Sequence, residues 1–203
     1  MRFVFITCAI IFCFSGARSL THPCGNSAGC VCNGTVFEYC SISGATHLSF
    51  SNLPPTSLLT SIAPTALATI SSALVDVSFA FNSLKTIPGA LFINCTQLRF
   101  LSLRYNKLET LPVGLFASLS KLQKLALNQN LLTTLPVGLF DSLTYLEFLN
   151  IAGNLITHVP ATLFYPLTAI AKLYLYKNPW NCTDCNLQSQ LASNATLKEA
   201  YTF

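Results

Sequence analysis

The sequence predicts a solenoid: a stack of short coils sharing one elongated core, with strands along one side and irregular return segments along the other. Three observations predict it. The heptapeptide TLPVGLF occurs at Thr110–Phe116 and again at Thr134–Phe140, with starts 24 residues apart. The same step separates Leu74, Leu98, Leu122, Leu146 and Ile170, and also Asn82, Asn106, Asn130, Asn154 and Asn178. Finally, 52 % of the 203 residues are apolar and only 9 % are charged, a balance opposite to that of disorder. A fixed period of about 20 to 50 residues marks units that bury their apolar face only against neighbours.

The chain opens with MRFVFITCAIIFCFSGARS, one basic residue followed by the apolar run Phe3–Phe14 and then small residues. That is the layout of a secretory signal peptide, assigned to residues 1–19, with cleavage after Ala17 or Ser19. The run is short for the ~20 residues of a membrane span, which disfavours an uncleaved anchor. Leu58–Phe81 carries a single charge, Asp76, but its Pro64 and many hydroxyl residues fit a repeat unit better than a span. Net charge is +4. Two of those charges, Arg2 and Arg18, leave with the signal. The remaining excess is too mild to point to nucleic acid, and none is expected as a partner.

Export changes the meaning of the cysteines, because clustered Cys in an oxidising compartment form disulfides. Cys8 and Cys13 belong to the signal segment. Cys24, Cys30, Cys32 and Cys40 cluster at the start of the remaining chain, and Cys182 and Cys185 at its end. The middle holds only Cys95, at the place taken by Leu119, Leu143 and Leu167 in later units. It reads as a buried thiol acting as a small hydrophobe, ahead of a reactive sensor. A zinc site at the first cluster lacks a nearby His pair.

Each regular unit follows L-x-x-L-x-L-x-x-N-x-L-x-x-L-P-x-x-L-F-x-x-L, as in LRFLSLRYNKLETLPVGLFASL and LQKLALNQNLLTTLPVGLFDSL. The alternating part fits a short strand with one buried face. The Asn sits where the chain must turn, and a column of Asn can bond from coil to coil. Pro88, Pro112, Pro136 and Pro160 fix φ on the return, where no ladder donor is needed. Phe92, Phe116, Phe140 and Phe164 should stack inward as an aromatic spine. The heptapeptide is therefore structural. HLSFSNL and LTSIAPTALATI, matched through Leu59, Ile62, Leu67 and Ile70, form a degenerate sixth coil. GTVFEYCS is expected as a strand closing the stack.

This pattern resembles the extracellular leucine-rich repeat family, closely over Leu74–Asn178. The resemblance implies an α/β-type solenoid curved so that the strands line a concave face, with irregular or 3-10 segments on the convex face and cysteine caps at both ends. It divides the chain into a signal peptide (1–19), an N-terminal cysteine cap (20–47), repeats (48–178) and a partial C-terminal cap (179–203). Family pairing would join Cys24 with Cys32 and Cys30 with Cys40. NPWNCTDCNLQSQL resembles the start of a C-terminal cap, including that of the variable lymphocyte receptors of jawless vertebrates. It departs in having C-x-x-C and no later Cys. Either that cap is truncated or Cys182 pairs with Cys185.

No chemistry-bearing motif emerges. His22, His47 and His158 stand apart from any nucleophile motif, and no phosphate loop or H-E-x-x-H occurs. The expectation is a non-enzyme without cofactor or metal. What remains is a surface. The residues between the leucines form the concave set: Asp76, Ser78, Ala80, Phe81; Phe100, Ser102, Arg104, Tyr105; Lys124, Ala126, Asn128, Gln129; Phe148, Asn150, Ala152, Gly153; Lys172, Tyr174, Tyr176, Lys177. Five regular strands would make a sheet about 20 Å wide. The set is rich in Phe, Tyr, Arg and Lys with a single acid, the composition of interface hot spots. The ligand-binding residues expected are Phe81, Phe100, Arg104, Tyr105, Lys124, Asn128, Phe148, Asn150, Lys172, Tyr174 and Tyr176. The reading is a secreted or cell-surface recognition module for a protein or glycan, with a matrix spacer as the alternative. A membrane anchor beyond Phe203 stays open. Sequons at Asn33, Asn94, Asn181 and Asn194 all avoid the concave set.

Overall fold

The computed structural model describes residues 22–23, 30–33, 35–40, 46–51, 58–68, 71–181 and 201–202. The expected signal segment, Cys24, Cys182, Cys185 and Asn194 lie outside them. The main sheet has seven parallel strands: β4 (His47–Ser49), β6 (Asp76–Ser78), β7 (Phe100–Ser102), β8 (Lys124–Ala126), β9 (Phe148–Asn150), β10 (Lys172–Tyr174) and β11 (Tyr201–Thr202), neighbours in that order. From β6 to β10 each strand pairs with the next at a register of 24 residues, Asp76 opposite Phe100 and Lys124 opposite Phe148. The alternation L-x-L dictates this: Leu101, Leu125, Leu149 and Leu173 are 0 % exposed, each in the middle of its strand.

The sheet is wider than the regular repeats alone. β4 pairs with β6 across 29 residues, His47 opposite Asp76, so the irregular segment is a full coil with a five-residue insertion. Its Leu59, Ile62, Ala66 and Leu67 are buried like their counterparts in later units. The segment that could pass for a membrane span contributes to this coil, and no described helix is long and apolar enough to cross a membrane. At the other end β11 adds to β10, an addition that no repeat motif announces.

The strand expected within GTVFEYCS is present. It is β3 (Val36–Cys40), which joins a second, four-stranded sheet rather than the concave one. There it pairs with β2 (Cys30–Asn33) antiparallel and with β5 (Ser61–Ile62) parallel, and β1 (His22–Pro23) flanks β2. Backbone register sets Cys30 opposite Cys40. Through the β3–β5 pairing this second sheet is joined to the first coil.

Among the described residues the only helix is a 3-10 turn at Ser71–Ala73. The return segments are runs of successive turns, each closed by an N–H bonded to the carbonyl three residues earlier. Leu91, Leu115, Leu139 and Leu163 each donate an N–H to the carbonyl of the proline three residues earlier, at 3.1–3.3 Å. Proline is suited to this place because it accepts there without having a donor to satisfy.

Stacking is held by two columns. Phe92, Phe116, Phe140 and Phe164 are fully buried, and the Phe140 and Phe164 rings stack at 6.3 Å. A second aromatic contact, absent from the expected spine, stacks Phe50 on Phe79 at 5.1 Å. The asparagines form the other column. Asn106 donates to the Phe79 carbonyl of the preceding coil (2.9 Å) and to its own coil at Leu103 (3.1 Å), while its Oδ1 accepts the Leu84 N–H (3.0 Å). Asn82, Asn130, Asn154 and Asn178 repeat this set. One amide thus bonds three buried backbone groups, using both its donors and its acceptor at the bend. Cys95 is buried in the core, and burial pushes its thiol up from 9.0 to about 12. Trp180 lies against the last coil and donates from Nε1 to the Leu175 carbonyl at 2.9 Å.

Candidate ligand face

The parallel register converts the concave set into rows running across the coils. The first row is His47, Asp76, Phe100, Lys124, Phe148, Lys172. From Phe100 onward it alternates aromatic and cation. The second is Ser49, Ser78, Ser102, Ala126, Asn150, Tyr174. Beyond the strands, N–H groups of Phe81, Tyr105, Gln129 and Gly153 bond to carbonyls of Arg104, Asn128, Ala152 and Tyr176 in the next coil. Those bonds align two further rows: Ala80, Arg104, Asn128, Ala152, Tyr176 and Phe81, Tyr105, Gln129, Gly153, Lys177.

The last row owes its place to backbone conformation. Phe81, Tyr105, Gln129 and Lys177 have φ between 54° and 59°, and Gly153 has 64°. Each coil therefore turns left-handed one residue before its Asn, delivering the amide into the core. A non-glycine residue there costs about 1–2 kcal/mol, offset by the bonds it sets up. Glycine at 153 has a further reason: a Cβ would run into the Gln129 amide lying over it.

All eleven expected ligand residues sit on this face. Arg104, Tyr105, Lys124 and Lys172 are exposed, and Phe81, Phe100, Asn128, Phe148, Asn150, Tyr174 and Tyr176 are half-buried. Four other members of the concave set are not surface at all: Ala80, Ser102, Ala126 and Ala152 are at most 8 % exposed. All four are Ala or Ser, and they lie low in the second and third rows beside longer side chains. The Ser102 hydroxyl among them has no partner.

Five of the six aromatics on this face contact another ring, Phe100 being the exception. Phe81 and Tyr105 stack, and the Arg104 guanidinium lies 5.1 Å from the Phe81 ring centroid. Phe148 meets Tyr174 at 5.4 Å, and Tyr174 meets Tyr176 edge-on at 6.2 Å. Lys124 and Asn128 occupy the coil between these two clusters.

At the N-terminal end lies a shallow cleft of about 240 Å³ lined by His47, Leu48, Ser49, Asp76, Val77, Ser78 and Phe100. His47 bonds Asp76 Oδ2 through Nε2 and Thr46 Oγ1 through Nδ1, both at 2.7 Å. His47 carried no assigned role in the sequence, because the insertion hid its register with Asp76. The other histidine described with side chain, His158, is exposed on the return side and meets the Asn181 amide at 3.1 Å. The sequon residues Asn94 and Asn181 are exposed and lie off the concave rows. No group of three or more metal-ligating side chains occurs among the described residues.

This curved stack of parallel strands with an asparagine column defines a class of protein. The family model for the leucine rich repeat matches residues 72–132, 96–156 and 120–179, together more than half of the chain, and the chain belongs to that family. A search of curated proteins finds no match. Among solved structures, a crystal structure of a TLR13–ssRNA13 complex is similar at 30 % identity with a TM-score of 0.60. The similarity covers 66 % of this chain but 18 % of that one, so the chain spans less than a fifth of the neighbour's length.

Proposed function

We propose that this protein is a secreted or cell-surface recognition module that binds a protein, or a glycan, on its concave face. The observation that carries this reading is the composition of the rows. The repeat constrains only the leucines and the asparagine, yet the free positions collect Phe, Tyr, Arg and Lys. The single acid among them, Asp76, is already paired with His47. Large side chains held in place by ring contacts lose little freedom on binding, which is what makes a hot spot. The expected signal segment, the terminal disulfides and the sequons fit export, with glycans on the return side and ends. The similarity to a Toll-like receptor structure supports a ligand-binding role over a spacer.

A second reading comes from that neighbour, which was solved as a complex with single-stranded RNA. Cations beside aromatic rings are what a single strand requires. Stacking platforms need free ring faces, however, and here Phe81 is covered by Tyr105 and by Arg104. Paired rings favour a protein surface.

The test is an array of extracellular protein domains and glycans probed with the purified chain. Two variants accompany it: a concave one (Arg104→Ser, Tyr105→Ala, Lys124→Ser, Tyr174→Ala) and a return-side one (Val113→Arg, Val137→Arg). Binding should vanish only with the concave variant. Loss only with the return-side variant would refute the reading.

A further inference from the structure

The first row has a spacing as well as a composition. Phe100, Lys124, Phe148 and Lys172 come from successive strands in one register. Adjacent strands lie about 4.8 Å apart, so the Lys124 and Lys172 stems leave the sheet about 9.6 Å apart with the Phe148 ring between them. Along one side of this row runs a floor of buried Ser102 and Ala126, continued by half-buried Asn150 and then Tyr174. Along the far side stand Arg104 and Asn128 of the third row, with Phe81, Tyr105 and Gln129 beyond them. The result is a trough directed along the solenoid axis, across the strands, with Tyr174 and Tyr176 towards its C-terminal end.

An occupant that follows the trough must be extended, and its charges must recur at the interval of the lysines. A polyproline II helix advances about 3.1 Å per residue with three residues per turn, or about 9.3 Å per turn. Every third side chain of such a segment points the same way, at nearly the lysine interval. A β-strand presents same-side residues about 6.7 Å apart and drifts out of step after one contact. Aromatic walls beside a preformed, low-entropy helix are also the general means of holding proline-rich segments. Charge sets the sign: Arg104, Lys124, Lys172 and Lys177 lie on or beside the trough, and the one acid of the concave set is engaged by His47.

We infer that the trough binds an extended, proline-rich segment of a partner protein carrying an acidic residue at every third position, through the Phe100–Lys124–Phe148–Lys172 row. Two carboxylates meet Lys124 and Lys172. The two residues between them lie against the Phe148 ring and Asn150 beside it. This rests on the concave-face reading above and narrows it to one ligand class.

Fluorescence anisotropy on the purified full chain tests it with two labelled peptides of one composition. The periodic peptide is four consecutive Glu-Pro-Pro triplets, and its block isomer places all the glutamates before all the prolines. An oligo(U) of equal length is measured beside them. The periodic peptide should bind about tenfold or more tighter than the block isomer. Lys172→Gln and Phe148→Ala should each remove most of that preference, and Lys107→Gln, exposed but off the row, should not. Lys172→Gln keeps the test decisive if Phe148→Ala disturbs packing. Equal affinities, or no binding of the periodic peptide, overturn the inference. Tighter, row-dependent binding of oligo(U) also overturns it, in favour of a nucleic-acid occupant. If the peptides fail while array partners still depend on concave side chains, only the acidic proline-rich occupant is wrong. If array partners ignore the concave variant, both readings fall.

Discussion

Phe81 and Tyr105 occupy the same place in successive coils, and their rings stack with centroids 4.5 Å apart and planes within 9° of parallel. Both are held at positive φ, so backbone conformation as well as packing aims them. Little of either ring's freedom remains to be lost on binding. Tyr105→Ala should therefore weaken ligand binding by about 2 kcal/mol or more. Folding stability should fall by no more than the ring pair itself contributes, about 0.5–1.5 kcal/mol. Titration with an array partner and a denaturation curve measure the two effects separately.

The core predicts the opposite division. Phe116 is fully buried between coils, whereas Val113 on the same return segment is 81 % exposed. Phe116→Ala should cost roughly 3–5 kcal/mol through the cavity it leaves. Val113→Ala should change the denaturation midpoint hardly at all. Equal losses would contradict the observed register.

That register was legible in the sequence because the repeat writes it out. Leu101, Leu125, Leu149 and Leu173 are inward, and Asn106 and its equivalents are at the bend, as a 24-residue step requires. The burial of Ala80, Ser102, Ala126 and Ala152 was not legible. The two-residue alternation assigns them to the open face, but all four are Ala or Ser and lie low beside longer side chains. The His47–Asp76 pair was hidden for another reason. An insertion of five residues breaks the period without breaking the coil. The second sheet follows no repeat: β1, β2 and β3 pair locally and antiparallel, and only the parallel pairing of β3 with β5 joins segments distant in sequence.

Asn106 ties two coils through three bonds to backbone groups. Asn106→Ala leaves the buried Leu84 N–H without its acceptor, while the Phe79 and Leu103 carbonyls keep donors in Asn82 and Asn130. An unsatisfied group of this kind costs about 1–3 kcal/mol unless water enters. A loss of about 1–3 kcal/mol is expected by chemical denaturation, with Lys107→Ala, its exposed neighbour, close to neutral. If both substitutions were neutral, the ladder would be incidental to stability.

Cys95 gives a pH dependence with a defined sign. Desolvation raises the folded-state pKa to about 12 from 9.0, so above pH 9 the unfolded chain releases a proton that the folded chain keeps. The associated stability is fully present below pH 9 and is lost as pH climbs towards 12. Cys95→Ala should be less stable at neutral pH, because it leaves a cavity, yet lose less between pH 9 and 12. Parallel stability curves for the two proteins would exclude this thiol as the source. Native Cys95 should also resist alkylation at about pH 8 until the chain unfolds.

Lys124 occupies the middle of the first row, between Phe100 and Phe148, and is exposed. Its charge reaches solvent, so it acts on an approaching partner before contact. Exposed charges chiefly steer encounter, whereas desolvated aromatic anchors hold the complex together. Lys124→Gln should therefore slow association with an array partner by a few-fold and flatten its salt dependence, while dissociation changes little. Phe148→Ala should do the reverse, raising the dissociation rate and leaving the salt slope intact. Surface plasmon resonance at two ionic strengths separates the two cases. The contrast is specific to the concave row, since Lys85, also exposed but outside it, carries the same charge and should affect neither rate. If Lys85→Gln slowed association as much as Lys124→Gln, net charge rather than the row would be steering the partner.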